Sequence, residues 1–225
     1  MWKRLILIVS LLALGYGVHT YTEGFSIAGI TSGHNYGLPD FGSKTAAIEI
    51  LDQPFHYMAS GGQSYVFLSD DGCYVLKFFK GPLTLLPKVR ARKITKISRT
   101  LLGYELLQKR LPSHSATIYA HLSKSPFRNV ILIDKCGIHH TVDLSSIECI
   151  LQRHVEPLNP DSISKVHALA DLMAQEKMTD SDPRQHKNWG VFNGEVVIFD
   201  AGRVAPDPQG RFHLSNKYIS WEKSL

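Results

Sequence analysis

The sequence predicts an α+β fold, and three observations carry that expectation. Short runs rich in aromatic and β-branched residues cluster at residues 55–79, 116–134 and 148–153. Two longer stretches, 88–110 and 161–177, carry apolar residues at helical spacing. Tight-turn pairs separate some of the short runs, as antiparallel hairpins require.

The elements follow in order. The chain has 225 residues, 44% hydrophobic and 20% charged, so a packed core is expected rather than disorder. Lys3-Arg4 precede an apolar run from Leu5 to Leu14, then Gly15-Tyr16-Gly17. That is the pattern of a signal peptide or a short signal anchor over residues 1–18, and it predicts export. Retention would give membrane association through residues 5–18. Residues 19–50 are rich in Gly, Ser and Thr and read as a linker or loosely packed extension, with a short helix or strand near Lys44–Leu51.

Strands are expected at Phe55–Ala59, Ser64–Ser69 and Cys73–Phe79, joined by turns at Gly61-Gly62 and Asp70-Asp71-Gly72. Pro82 and Pro87 break the chain. A helix over 88–110 is expected, with Val89, Ile94, Ile97, Leu101, Leu102, Leu106 and Leu107 on a broad apolar face, and Pro112 ends it. Strands follow near Ala116–Leu122, Asn129–Asp134 and Glu148–Arg153, with Val155–Leu158 as an extended connector. Asp161 is placed to cap the helix over 161–177. A polar loop, Thr179–Lys187, leads into a hairpin over Gly190–Phe199 that turns at Asn193-Gly194.

The net charge of +5 is modest, and no nucleic-acid partner is expected. The densest basic cluster, Lys88 to Arg99, reads either as a solvated helix face or as a surface for phosphate or acidic lipid. Cys73, Cys136 and Cys149 lack metal-ligand spacing, and no HExxH pattern occurs among the 11 histidines.

Two segments carry chemistry. The first runs Gly61-Gly62-Gln63-Ser64-Tyr65-Val66, then Val75-Leu76-Lys77. The second runs His186-Lys187-Asn188, then Asp200-Ala201-Gly202. Together with the order of elements they resemble the protein-kinase-like family, which includes aminoglycoside-phosphotransferase-like and atypical kinases. The resemblance covers about residues 55–203.

It implies a two-lobed fold, with an antiparallel N-lobe sheet plus helix and a minimal C-lobe. The divisions would be 51–205 for the kinase-like domain and 206–225 for a tail. It implies ATP and Mg²⁺ as cofactors and an unknown phosphoryl acceptor. Val75-Leu76-Lys77 is similar to the family's V-A-I-K strand, so Lys77 would position phosphates and Glu105 would orient it. Gly61, Gly62, Ser64 and Val66 would face the nucleotide. Of the three glycine places in the family's loop, only the middle one holds glycine, at Gly61. Glu156 lies in a hinge-like connector. Asp200-Ala201-Gly202 stands where the family has D-F-G, making Asn188 and Asp200 the metal ligands.

The catalytic loop departs from the family. Asp182-Pro183-Arg184-Gln185-His186-Lys187-Asn188 is one residue longer than the H-R-D-x-x-x-x-N spacing. Asp182 is the expected catalytic base and His186 the second candidate. Only residues 201–225 follow Asp200, too few for the usual peptide-binding helices. Two functions stay open: a compact phosphotransferase, and an exported or membrane-anchored pseudokinase serving as a binding scaffold.

Overall fold

A computed structural model describes residues 2–31, 36–81 and 87–225. The break expected at Pro82 lies outside them, as do residues 32–35 of the expected linker. The architecture is mixed: helices packed against an antiparallel-rich sheet.

Helix α1 (Trp2–Tyr21) exposes the apolar side chains Leu7, Val9, Leu12 and Leu14. Among the described residues, no helix is long and apolar enough to cross a membrane. The following segment is more ordered than its composition suggests. It forms α2 (Ile27–Thr31), β1 (Phe41–Gly42) and α3 (Lys44–Ile50). Ser43 caps α3 by accepting from the Ala46 amide at 3.3 Å. Ile30 and Ala47 of this segment are buried, in the same apolar cluster as Phe55 and Leu132.

The principal strands are β2 (Phe55–Ser60), β3 (Ser64–Ser69) and β4 (Tyr74–Phe79). Asp71 fixes the β3–β4 turn, its Oδ1 accepting from Ser69 Oγ at 2.6 Å and from the Cys73 amide at 2.9 Å. Helix α4 (Pro87–Arg110) follows and buries Ile97, Leu101, Tyr104 and Leu107 along one stripe. A 3₁₀ turn at Pro112–His114 ends it.

Next come β5 (Thr117–His121), β6 (Asn129–Ile133), β7 (His139–Asp143) and β8 (Cys149–Arg153). The sequence gives no warning of β7. It is polar, with Val142 alone buried, as suits an outermost strand. The eight-stranded sheet runs β1-β5-β8-β4-β3-β2-β6-β7, and only β2–β6 is parallel.

The rest of the chain packs below this sheet. Strand β9 (Glu156–Pro157) precedes α5 (Ile163–Gln175), which buries Val166, Leu169 and Met173. Asn159 and Ser162, rather than Asp161, form the capping box here, because Asp161 sits inside the 3₁₀ turn. Then follow β10 (Met178–Asp180), β11 (Trp189–Phe192), β12 (Glu195–Ile198) and β13 (Val204–Pro206). Asn193 and Gly194 both take positive φ, 50° and 78°, closing the β11–β12 hairpin. The final residues form α6 (Asn216–Glu222), with Tyr218 fully buried.

Two apolar clusters meet at the sheet. On β4, Leu76 and Phe78 enter the cluster shared with α3 and β6. Phe79 enters the cluster shared with α4, α5 and the hairpin. The alternation of a strand therefore points Val75, Lys77 and Phe79 to the face below the sheet.

Candidate functional site

A cleft of about 720 Å³ opens below the sheet. The Gly61–Ser64 turn, β4, α4, the loop 182–188 and the loop after β12 form its walls. A neighbouring cavity of about 350 Å³ shares Gly61, Ser64, Lys77 and Asp200 with it, so the two are chambers of one cleft.

Lys77 reaches the wall between them. Its Nζ donates to the Phe199 carbonyl at 2.7 Å and lies 3.4 Å from the Tyr104 hydroxyl. Burial pushes its pKa down, and the Asp200 charge partly opposes that shift. Tyr104 projects from α4 to the same point, 3.2 Å from the Phe199 carbonyl and 3.3 Å from Asp200 Oδ1. Its single proton serves one of these acceptors at a time. Burial, then the Asp200 charge, raises the Tyr104 pKa well above its usual value. Gln152 on β8 also donates to the Phe199 carbonyl, at 3.0 Å.

Asn188 and Asp200 are held together through the backbone. The Asn188 carbonyl accepts from the Phe199 amide at 3.0 Å and from the Asp200 amide at 3.1 Å. Both residues line the cleft, and Asp200 is exposed to it. The Gly202 amide donates to Asp200 Oδ1 at 3.3 Å. Helix α4 lies close against this loop because residue 103 is glycine. A Cβ there would meet the Ala201 carbonyl and come within 2.9 Å of the Val204 carbonyl. The glycine turn is tethered to the same helix, Thr100 Oγ1 donating to Gln63 Oε1 at 3.2 Å.

Asp182 is buried in the cleft wall. Its Oδ1 accepts from the Arg184 amide at 2.8 Å, and its carboxylate pairs with Arg184 Nε at 3.7 Å and Arg203 Nε at 3.4 Å. Beneath it, Asp180 accepts from the Asp182 amide at 3.0 Å and from Trp189 Nε1 at 2.9 Å. Burial pushes Asp180 up to about 6, and the charges of Asp182 and Asp200 act in the same direction.

Gly61, Gly62, Ser64, Lys77, Asp182, Asn188 and Asp200 thus line one chamber, and Val66 lines the other. Three further candidates sit elsewhere. Glu105 lines a different cavity, with Leu102, Lys109 and Pro206, and makes no ion pair among the described residues. The α4 residue facing Lys77 is Tyr104. Glu156 is exposed on β9, which pairs with β11, while Arg153, His154 and Val155 line the smaller chamber. Gly190 admits that pairing, since a Cβ there would lie 2.5 Å from the Glu156 carbonyl. His186 stacks on Trp221 of α6, ring centroids 5.6 Å apart, outside the cleft lining.

The sequence reading passed over Tyr104 and Gln152. Tyr104 was accessible, because Ile97, Leu101, Tyr104 and Leu107 fall on one helical stripe and Glu105 is turned from it by one residue.

No protein-family model matches the chain, and a search of curated proteins finds no match. Among solved structures it is similar to the bifunctional kinase-methyltransferase WbdD. One structure of that protein gives 12% identity and a TM-score of 0.41, over 68% of this chain and 33% of the other. A second gives 12% and 0.39, over 65% and 31%. A co-crystal of WbdD with the kinase inhibitor LY294002 gives 10% and 0.38, over 67% and 33%. The chain thus spans about a third of the length of these structures. At such TM-scores, the chemistry of the cleft has to carry the functional reading.

Proposed function

We propose that this chain is a compact kinase-like phosphotransferase that binds Mg-ATP in the cleft below the sheet. One observation carries the reading: Lys77, Asn188, Asp200 and the Gly61–Ser64 turn, remote in sequence, line a single cavity. Phosphoryl transfer is largely positioning and charge neutralisation, and these are the groups it needs.

The donor set fits magnesium. Asp200 offers a carboxylate to the cleft, and the Asn188 side chain makes no protein hydrogen bond among the described residues. Both are hard oxygen donors, the type Mg²⁺ prefers, and such a site leaves further positions to phosphates and water. When bound, the metal supplies charge neutralisation at the phosphates. Lys77 is poised to exchange the Phe199 carbonyl for a phosphate oxygen. The smaller chamber, with Val66, Val75, Val155 and Phe199, offers apolar walls to a planar base. Asp182 would accept the proton of the acceptor hydroxyl, as that oxygen bonds the γ-phosphorus and the bond to ADP breaks. Asp180 positions the loop through the Asp182 amide and Trp189. The Lys3-Arg4 and Leu5–Leu14 pattern supports export or anchoring through α1.

A second reading is a scaffold without turnover. The two arginines that occupy Asp182 favour it, as does Tyr104 standing where a carboxylate would pair with Lys77. Thermal melting of the full chain with and without Mg-ATP tests binding, and radiolabelled transfer tests turnover. Ligand at a hundredfold excess over its Kd stabilises by about 2.7 kcal/mol. The expected result is such a shift in wild type, lost in Lys77→Ala and Asp200→Ala. No shift in a folded wild-type protein sinks the nucleotide reading. Binding without transfer favours the scaffold.

A further inference from the structure

The phosphotransferase reading leaves one wall of the cleft unused. Helix α4 presents Arg92, Lys96 and Arg99 to it, at successive turns. Arg184 and Arg203 face them across the opening, so with Lys77 six cationic side chains line the cleft against the two carboxylates of Asp182 and Asp200. A magnesium-bound triphosphate brings its own counter-ion and needs few of these cations.

Arg92, Lys96 and Arg99 form no ion pair among the described residues. The sequence contains no Asp or Glu from Gly72 to Tyr104. The first turn of α4 has no acidic residue and carries Lys88 and Arg90, an arrangement that opposes the helix dipole. A solvated helix face usually intersperses both signs, because paired charges favour the helix and like charges oppose it. Nearby, Lys80 and Lys93 sit at the mouth of the glycine turn, bonded to Ser60 Oγ at 2.6 Å and to the Gly81 carbonyl at 2.9 Å. Burial lowers the pKa of both, and the Lys93 charge lowers that of Lys80 further while the Glu23 charge opposes it. The positive potential of Arg92, Lys96 and Arg99 is thus concentrated on one wall of the cleft without an ion-pair partner among the described residues, which favours an anionic occupant.

We propose that the phosphoryl acceptor is itself a phosphate ester bearing a free hydroxyl, whose phosphate is held by Arg92, Lys96 and Arg99 while its hydroxyl faces Asp182. This rests on the phosphotransferase reading. The same headgroup chemistry occurs in a soluble ester and in a glycerophospholipid.

Both sources can be tested on the full-length chain, with the magnesium complex of the β,γ-imido analogue of ATP present. One arm titrates glycerol 3-phosphate against glycerol. The other uses phosphatidylcholine vesicles with and without phosphatidylglycerol. Transfer from labelled ATP to each phosphate ester is then measured. We expect binding and labelling in at least one arm, weakening with ionic strength. Arg92→Gln/Lys96→Gln/Arg99→Gln should reduce that binding at least tenfold. Arg92→Lys/Arg99→Lys, which keeps the charge but loses the guanidinium fork, should weaken binding less than the triple variant does. Protein that binds the ATP analogue but neither phosphate ester overturns the proposal, as does undiminished binding by a folded triple variant. Binding of the esters by protein that does not bind the analogue refutes the phosphotransferase reading while supporting the anion site.

Discussion

Replacing Gly103 by alanine sets helix propensity against close packing, and the structure says which wins. In an exposed helix interior the change would stabilise by about 1 kcal/mol. Here the new Cβ would lie 2.9 Å from the Val204 carbonyl and closer still to the Ala201 carbonyl. Both obstacles are backbone, so no rotamer change relieves them. Helix α4 and the loop at 201–204 must separate, and two backbone clashes place the cost at the upper end of the overpacking range, ~2–3 kcal/mol. The expected net effect of Gly103→Ala is a loss of ~1–2 kcal/mol, lowering Tm by about 3–6 °C in a protein of this size. Separation also pulls Tyr104 from Asp200, so Mg-ATP affinity should fall by ~3–10-fold, since each factor of ten is ~1.4 kcal/mol. Melting curves with and without Mg-ATP read both effects. A variant with raised Tm and unchanged nucleotide affinity would refute the packing argument.

Three further outcomes follow from the same geometry. Tyr104→Phe removes the hydroxyl between Lys77 and Asp200 and should weaken Mg-ATP binding by about 1 kcal/mol in titration calorimetry. Glu105→Ala should change it less than twofold, and the reverse order would show that Glu105 orients Lys77. Asp182→Asn should cut transfer by ~10²-fold or more with nucleotide affinity within about threefold, and retained turnover would exclude Asp182 as the base. Asp180 has a folded pKa of about 6 against an ordinary 3.8, so the folded state binds more protons between those values. Its contribution is fully present below pH ~4 and is lost as pH rises through about 6, by the order of 2–3 kcal/mol. Denaturant melts from pH 4 to 7.5 should show that decline in wild type and a flatter profile in Asp180→Asn. Parallel profiles would show that Asp180 does not titrate there.

The strands around Lys77 and the hairpin before Asp200 are legible because local signals coincide there. Asp70-Asp71-Gly72 and Asn193-Gly194 fix turns, and the flanking residues suit strands. Helix α4 is legible for its stripe, but the partner of Lys77 is not settled by the presence of a carboxylate. Adjacent helix positions differ by about 100°, and Tyr104 rather than Glu105 has the inward phase. Strand β1 and helix α2 escape detection, and α3 is legible only as a short helix or strand, because such elements are short and gain stability from distant contacts, such as Phe41 with Ala120. The basic segment Lys88–Arg99 left two readings open, which only the position of α4 beside the cleft could separate.

The Phe199 carbonyl has a consequence for how the cleft could open to a ligand. Lys77, Tyr104 and Gln152, on three different elements, all come within hydrogen-bond reach of it. A carbonyl oxygen has two lone pairs, so one donor is in surplus. Withdrawal of the ammonium toward a phosphate leaves the oxygen served by the hydroxyl and the amide, and no buried acceptor is orphaned. Under the nucleotide reading, Lys77 would therefore turn to a phosphate at little cost, because the Phe199 carbonyl keeps two other donors.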